Sequence, residues 1–356
     1  MSTKKDWLSL KVNSHISKRI NRCLRFFGSP ENILKANFKE WVNGFGLKAD
    51  TATDLLNLKE NIDIEREFKR LKELNIDLLT IDDEEYPQNL TEIYMPPPVF
   101  FYKGDLIKKY NIGIGIVGSR RAGFQSLTLA KEIADDISKA GVTVISGLAR
   151  GVDKYAHIGA LNGSGNTIGV IGNGLNIIYP SENRSLYLKI SEAGSLISEF
   201  CLDMKPYKQN FPQRNRIISG LSRAVLVVEA SKKSGALITA HYALEQNRDL
   251  MAVPGNVRNS KSKGTNKLIK EGAFLIESAD DIFEVLGIEV NAEMKNPEIT
   301  DKQKKILDYI EAEPTFIDNI IRNFNGDQAN ILYELTIMEM NGLIQKIPGN
   351  QYIKLI

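Results

Sequence analysis

Short apolar runs alternate with longer amphipathic segments through the middle of the chain. Five of these runs have the length of a β-strand and end at glycine or another turn residue: IGIGIVG, VTVISG, TIGVIG, AVLVVEA and DLMAVPG. Between them lie segments with apolar residues at helical spacing, such as QSLTLAKEIADDISKAG and SGALITAHYALEQN. Apolar strands that alternate with helices predict an α/β fold, namely a Rossmann-like, mostly parallel sheet with helices on both faces over roughly residues 111–286.

The two ends of the chain follow other patterns. Residues 1–95 contain short segments with apolar residues at helical spacing, and Gly28 and Gly46 stand where helices should end. Three prolines at 96–98 then predict a rigid connector rather than a helix. Residues 298–356 contain three helical segments followed by two strand-like segments around a Pro-Gly-Asn turn, which is the order of a winged helix.

These patterns predict three domains. A small helical module of the SAM or helix-hairpin-helix type is expected at residues 1–95, a Rossmann-like domain at 96–288 and a winged-helix domain at 298–356. A length of 356 residues fits several domains, because single hydrophobic cores stop growing at ~250–300 residues.

Composition and charge narrow the class of protein. Hydrophobic residues make up 42% and charged residues 25% of the chain, as in soluble globular proteins. The net charge is only +2, so any basic surface must come from local segregation of charge. Cys23 and Cys201 are far apart in sequence, so neither a disulfide framework nor a zinc site is expected. No run reaches the ~18 apolar residues of a membrane span and no signal peptide is evident, which predicts a cytoplasmic protein without a membrane partner.

The segment IGIGIVGSRRAG indicates which ligand the first strand-end loop suits. Gly113, Gly115 and Gly118 formally satisfy the GxGxxG pattern, but two of them fall inside the predicted strand. The next strand ends at Ser146 and Gly147, without the carboxylate that would hold a ribose. A dinucleotide is therefore not expected, and we predict no cofactor.

Ser119, Arg120 and Arg121 follow this strand and precede a helix. Amide groups at a helix N-terminus, a serine hydroxyl and a guanidinium together can bind an anion. A tight turn whose arginines face solvent explains the same residues equally well, so this loop alone does not decide between the two interpretations.

Other strand-end loops favour a nucleic-acid site. Residues 205–223 contain five cations and no acidic residue, with Tyr207 and Phe211 among them. Cations for phosphates combined with a ring for a base are what a single-strand groove requires. The segments SGLARGVD and SKKSGALITA add small and basic residues at two further strand ends. Residues 258–270 hold five more cations and no acid, and these fit an ordinary surface as well as a binding site.

The loops offer little that is typical of catalysis. His157 and His241 stand within predicted helices, without a Cys or His partner at metal spacing, so packing or surface roles are favoured. Ser146 and Ser234 have no base that the sequence identifies. The chain has no GxxxxGK[ST] motif for a nucleotide triphosphate. We therefore predict no catalytic residue and no metal site.

Six motifs between residues 116 and 273 occur together in an order and spacing typical of one family: IVGSRRAG, VISGLARGVD, FPQRNRIISGLS, VVEASKKSGALITA, MAVPGN and GTNKLIKEGA. They resemble the DNA-processing protein A family (DprA/Smf). The resemblance implies a recombination mediator that binds and protects incoming single-stranded DNA in natural transformation, loads the RecA recombinase and acts as a homodimer. It also implies a positively charged pocket at the strand ends.

The resemblance places the pocket residues in four loops. The expected single-stranded-DNA-binding residues are Gly118, Ser119, Arg120, Gly147, Phe211, Arg214, Asn215, Arg216, Lys233, Ser234 and Gly235. The arginines and the lysine would bind phosphates, Phe211 would stack on a base, and the serine hydroxyls and glycine amides would make neutral hydrogen bonds. Arg150 departs from the family pattern, so it receives no role.

Two alternatives use the same phosphate loops. The family resembles phosphoribohydrolases that carry a PGGxGTxxE signature, but Tyr242 stands here in place of the glutamate. We therefore predict that the protein is not an enzyme. A hydrolase of nucleotides or nucleoside monophosphates, or a nucleotide sensor, is the alternative function.

The winged-helix region is acidic. From residue 291 to the end there are ten acidic and seven basic residues, a net charge of −3. Its third helical segment carries Glu334 and Glu339 and no lysine or arginine. Because phosphates would repel such a helix, we predict a protein-interaction or packing module rather than a reader of DNA.

Overall fold

The structure is a computed structural model that describes residues 3–289, 300–310, 314–324, 328–340, 343–347 and 349–354. The chain divides into two compact units, Met1–Ile288 and Glu289–Ile356. The predicted helical module and Rossmann-like domain lie in the first of these units, and the boundary between them stays a prediction.

Helices form the beginning of the first unit. Thr3 and Ser29 cap two of them by accepting backbone N–H groups. One helix ends at Gly28, whose φ of +83° favours glycine, as the sequence predicted. Trp7 and Trp41 are buried in the core of this region. The helices are α1 (Lys4–Val12), α2 (Ser14–Ser17), α3 (Ile20–Phe27), α4 (Pro30–Lys35), α5 (Ala49–Asn61) and α6 (Ile64–Glu73), with a π-helical turn at Glu40–Gly44.

Two strands join the sheet before the predicted α/β region. β1 (Asp77–Thr80) and β2 (Val99–Lys103) pair antiparallel, and α7 (Gln88–Thr91) lies between them in sequence. The pattern predicted only helices before residue 95 and a connector after it, which was wrong. The prolines do stop a helix, but the apolar run VFFYK that follows them is long enough for a strand and pairs with both β1 and the main sheet.

The remaining strands of the first unit are β3 (Gly113–Val117), β4 (Thr143–Ser146), β5 (Thr167–Val170), β6 (Ser195–Ser198), β7 (Ala224–Val227), β8 (Asp249–Ala252) and β9 (Phe274–Leu275). Nine strands of the described chain form one sheet in the order β1-β2-β6-β5-β4-β3-β7-β8-β9. The seven strands β3 to β9 of this sheet run parallel. The predicted mostly parallel sheet is confirmed, and its five apolar runs are β3, β4, β5, β7 and β8.

Helices cover both faces of this sheet, as predicted. They are α8 (Phe124–Lys139), α9 (Val152–Asn162), α10 (Arg184–Ala193), α11 (Asn210–Leu221), α12 (Ala236–Glu245), α13 (Lys263–Lys270) and α14 (Ala279–Leu286). Successive residues of β2 enter different cores, because side chains alternate along a strand. Phe101 packs in a core with Ile190 of α10, and Phe100 packs in another with Ile218 of α11.

The strand order reverses at β3. From β3 the chain builds β4, β5 and β6 on one side, and it then crosses to β7, β8 and β9 on the other. The loops after β3 and β7 therefore flank the topological switch point, where such sheets bind ligands. Because these strands are parallel, all the glycine-rich and basic loops singled out above emerge at one edge of the sheet.

The second unit has the winged-helix order that the sequence predicted. Ile306, Ile320 and Leu335 pack in its core. Glu334 accepts a hydrogen bond from Gln303 Nε2 at 2.9 Å, so this acid contributes to packing within the unit. The elements are α15 (Asp301–Tyr309), β10 (Thr315–Phe316), α16 (Ile317–Asn323), α17 (Gln328–Met340), β11 (Ile344–Ile347) and β12 (Gln351–Lys354), and β10 is a short strand that the pattern did not predict.

Candidate functional site

A cavity of about 230 Å³ opens where β3, β4 and β5 end, beside the first turn of α11. The loops that follow the three strands contribute its basic and small residues, and α11 contributes an aromatic ring and a guanidinium. Its polar and aromatic lining comes from Arg120, Arg121, Gly147, Arg150, Asn173, Tyr179, Phe211 and Arg214. Within the described residues that line it there is no carboxylate, so the cavity suits an anion.

A larger cavity, of about 620 Å³, lies beside β1 and β2. Four lysines line it, and two of them pair with acids of the same lining. Lys4 pairs with Asp77 at 3.4 Å and Lys108 with Asp105 at 3.5 Å. We therefore place the functional site at the smaller cavity, whose cations lie at the strand ends and whose lining has no acid.

The loop after β3 is anchored on two sides. Ser119 N donates to the carbonyl of Glu229 at 2.8 Å, and Ser119 Oγ accepts from Arg121 N at 3.1 Å. Gly151, with φ +76°, lies so close to the Ser119 carbonyl that a Cβ would not fit. The backbone is thus held by its neighbours while the Arg120 side chain stays exposed.

Glu229 occupies the N-terminus of α8. Its buried carboxylate accepts from Gly123 N and Ser126 Oγ, both at 3.0 Å. The sequence offered helix amides and the Ser119 hydroxyl as anion ligands here, but the Gly123 amide already donates to Glu229. Ser119 Oγ accepts from Arg121 N, which leaves its own O–H as a donor for a ligand. A carboxylate at a helix N-terminus is favoured electrostatically. The positive charge of this loop therefore comes from its arginine side chains.

Arg120, Phe211 and Tyr179 form a stack at the cavity. The Arg120 guanidinium lies 5.3 Å from the centre of the Phe211 ring, within the range of a cation–π contact. The Phe211 and Tyr179 ring centres are 5.7 Å apart, with a 35° angle between the planes. A half-buried ring beside an exposed cation can accept a nucleobase face and a phosphate at once.

Arg214 is buried at the back of the cavity. Its Nη1 donates to the carbonyl of Gly147 at 2.6 Å and to the carbonyl of Val170, and its Nε donates to Asn215 Oδ1 at 3.2 Å. Burial lowers the pKa of Arg214 to about 10, so the side chain is still charged at neutral pH. A Cβ on Gly147 would lie 2.5 Å from Nη2, which explains the glycine at that position.

Asp153 and His157 lie beneath the loop after β4. Asp153 Oδ2 accepts from Gly147 N at 3.2 Å; burial raises the pKa of Asp153, while the charge of Arg214 lowers it. His157 Nδ1 lies 2.7 Å from Thr167 Oγ1, and burial lowers the pKa of His157 to about 3. The imidazole is therefore neutral, which fits the packing role that the sequence favoured.

The predicted site residues do not all meet at this cavity. Of these residues, Arg120, Gly147, Phe211 and Arg214 line it. Gly118 and Ser119 directly precede Arg120 in the same loop, and Asn215 accepts a hydrogen bond from Arg214 Nε. Arg216 was expected at a phosphate, but its Nη2 donates to Glu199 Oε2 in a mostly buried ion pair away from the lining residues. A DNA contact by Arg216 stays a prediction, and its observed partner is Glu199.

Lys233, Ser234 and Gly235 lie just before α12, after β7, and they do not line the cavity. They stand at the same edge of the sheet because β7 is parallel to its neighbours. The Lys233 side chain is exposed. The predicted residues thus lie along one edge of the sheet, and only some of them line the cavity.

Two residues of the site were missed in the sequence. The loop after β5 supplies Tyr179 to the aromatic stack. Glu182, which follows the same loop, pairs with Arg150, one of the residues that line the cavity. The presence of an aromatic residue before Pro180 in a strand-end loop was the available signal for Tyr179, whereas nothing in the sequence paired Arg150 with Glu182.

Neither a metal site nor a membrane span is found in the part of the chain that the structure describes. Among the described residues, no three His, Cys, Asp or Glu side chains are grouped so as to hold a metal ion. In the same part of the chain, every helix is too short or too polar to cross a bilayer.

Comparison with known proteins gave matches over most of the chain. The model of the family described as DNA recombination-mediator protein A matches residues 77–287, and the DprA winged helix domain matches residues 290–350. Protein Smf of Synechocystis sp. is 35% identical over an alignment that covers 94% of each chain.

Two solved structures are similar as well. DNA processing protein A (DprA) from Streptococcus pneumoniae has a TM-score of 0.70 at 32% identity, covering 80% of this chain and 98% of that one. DNA processing protein A from Helicobacter pylori, reported for its unique single-stranded DNA binding mode, has a TM-score of 0.55 at 28% identity, covering 60% and 98%.

The buried His157 predicts a pH dependence of stability. The folded protein keeps this imidazole neutral down to about pH 3, whereas the unfolded chain takes up a proton below about 6.5. The unfolded state therefore binds more protons between these values, and stability falls as pH falls. Between pH 7.5 and 5.5 this group should remove about 1.4 kcal/mol from the free energy of unfolding.

Urea titrations followed by the fluorescence of Trp7 and Trp41, both buried in the first unit, measure this effect. The difference in pH dependence between the unchanged protein and His157→Gln isolates the contribution of His157. His241→Gln is the matched control, because that side chain is 71% exposed. Equal pH dependence in the unchanged protein and in His157→Gln would contradict the assignment.

Proposed function

This chain belongs to the DNA recombination-mediator protein A (DprA/Smf) family, and from that premise we propose that it binds single-stranded DNA at the cavity beside α11. The observation that carries the proposal is the stack of the Arg120 guanidinium on the Phe211 ring, next to Tyr179 and at strand ends whose cavity lining has no acid. The single-stranded DNA binding mode reported for the H. pylori relative supports it.

The residues suggest a division of roles in binding. Arg120 is exposed and can neutralise a phosphate, while Phe211 offers a ring face to a base. Arg214 is committed to two backbone carbonyls and acts mainly by positioning Gly147 and α11. Binding of this kind takes little information from base edges, so we expect weak sequence preference.

We extend the proposal to the biological role that the family resemblance implies. The protein would act in the cytoplasm as a recombination mediator that protects incoming single strands and loads RecA in natural transformation. A homodimer is supported by β9, the last strand of the sheet order, whose Phe274 and Leu275 are exposed at an edge that can pair with a second copy.

We also propose that the protein does not catalyse a reaction. Tyr242 stands where related hydrolases carry a glutamate, and the buried Asp153 beneath the loop after β4 accepts from Gly147 N. Incubation with each nucleoside monophosphate, followed by chromatography for free base, should show no more release than buffer. Base release that disappears in Asp153→Asn would favour the hydrolase instead, and mononucleotides that outcompete oligonucleotides would favour the sensor.

Fluorescence anisotropy with a labelled oligonucleotide tests the proposed binding. If ~5 phosphates are neutralised, affinity should fall roughly a hundredfold between 50 and 200 mM salt. Arg120→Ala should reduce the salt slope by about 0.7 and weaken all sequences alike, and Phe211→Ala should cost about 1–3 kcal/mol. Arg66→Ala, an exposed arginine on α6, gives the same change of net charge and should bind normally. Salt-independent affinity, or full affinity of Arg120→Ala, would rule the proposal out.

The pair of Arg150 and Glu182 gives a second binding test. Both side chains are exposed and Arg150 lines the cavity, so Glu182 neutralises a cation that could meet a phosphate. Glu182→Gln should tighten binding by about two- to fivefold and steepen the salt slope by about 0.7, because an exposed ion pair is weak. Arg150→Ala combined with Glu182→Gln should lose this gain. Unchanged affinity of Glu182→Gln would mean that Arg150 does not reach the DNA.

A further inference from the structure

The second acid-free segment, residues 258–270, lies beside the loop after β3. Lys261 Nζ donates to the carbonyl of Arg121 at 2.7 Å. Gly264 N donates to the carbonyl of Ala230, also at 2.7 Å, at the end of the β7 loop. The loop after β8 is thus joined to the two loops that flank the topological switch point.

This loop has an ordered backbone. Asn256 Oδ1 accepts from Arg258 N at 2.8 Å, and Asn259 Oδ1 accepts from Lys261 N at 3.0 Å. Asn266 brackets Gly255, accepting from its N–H at 3.0 Å and donating to its carbonyl at 2.7 Å. A loop that its own side chains hold in place loses little entropy when it binds a ligand.

An exposed ring directly follows the loop after β3 in the chain. Phe124 is the first residue of α8, three positions after Arg121, and it is 83% exposed. Val257, in the loop after β8, is 79% exposed. One exposed apolar residue is ordinary on a protein surface. Phe124, however, belongs to residues 118–126, which contain two arginines and no acid. The hydrogen bond from Lys261 to the Arg121 carbonyl joins this segment to the equally acid-free loop after β8.

The cations continue in strand order from the cavity to this loop. Arg120 and Arg121 follow β3, Lys233 follows β7, and Arg258 and Lys261 follow β8. Adjacent strands lie about 4.8 Å apart, so β4 and β8 are separated by about 14 Å along the sheet edge. A short single strand can span that distance, and the loops after β3, β7 and β8 offer cations to its phosphates along the way.

We propose that a bound single strand leaves the cavity at Phe211, crosses the switch point over Arg121 and enters a second subsite made of Phe124, Arg258 and Lys261. In this subsite Phe124 stacks on a base and the two cations hold the adjoining phosphates. The inference rests on the proposed function and adds a path for the part of the strand that the cavity cannot hold.

The dependence of affinity on oligonucleotide length tests this path. Labelled oligothymidylates of about 4 and about 15 nucleotides span the usual range of single-strand sites. With the full chain, Phe124→Ala should weaken the longer oligonucleotide by about 5- to 150-fold and leave the shorter one within twofold. Phe124→Tyr should restore the longer one, because it keeps the ring. Arg258→Ala should weaken only the longer one and reduce its salt slope by about 0.7.

Tyr94→Ala is the matched control. Tyr94 is 84% exposed, and its neighbour Ile93 packs at Gly220, near the end of α11 farthest from the cavity. This variant should bind both lengths normally. Full affinity of Phe124→Ala for the longer oligonucleotide, or equal losses for both lengths, would overturn the second subsite. If Phe211→Ala weakened both lengths in the same experiment, the proposed function would still stand, whereas failure of the unchanged protein to bind either length would reject the function itself.

Discussion

The buried guanidinium of Arg214 is the contact on which the geometry of the cavity depends. It joins the carbonyls at the ends of β4 and β5 to α11, one helical turn from Phe211. Removing a cation from water costs several kcal/mol, and hydrogen bonds to carbonyl oxygens offset that cost only when each has good geometry. A side chain held in this way leaves little freedom to the strand ends around it. Gly147 is glycine because the guanidinium fills the space of a Cβ.

Buried and exposed charges have separate roles across the sheet edge. Arg214, Arg216 and Glu229 each bond to protein partners, and these bonds hold α11, the segment after β6 and the start of α8. Arg120 and Arg150 remain accessible above them. An edge built only from accessible cations would repel itself, and one with every cation paired would attract no anion. The acids that order this edge are therefore placed away from the cavity lining or at its rim.

Local sequence patterns predicted most of the strands and helices, but they did not predict which distant charged groups pair. Apolar runs ending in glycine identified β3, β4, β5, β7 and β8, because a strand buried on both faces needs such a run. Topology then brought their loops to one edge, so the placement of Arg120, Gly147 and Phe211 followed. What the sequence could not show was which distant group each acid meets: Glu229 accepts from Gly123 N, 106 residues away, and Glu199 pairs with Arg216, 17 residues away. Strand β2 was missed because the prolines before it dominated the local signal.

The salt link of Lys11, Glu199 and Arg216 ties the beginning of the chain to the helix that carries Phe211. Lys11 of α1 lies 3.8 Å from Glu199, with only 6% of its side chain exposed. Cys201 Sγ also donates to the Lys11 carbonyl, at 3.3 Å. A truncated chain that begins at the sheet would lack Lys11, so the Glu199 carboxylate would keep only Arg216 as its cation. It would also lack Trp7, and the core residues packed with Trp7 would become exposed to water. An expression boundary chosen from the Rossmann topology alone would therefore divide a shared core, and any truncation of this chain is better made after residue 288.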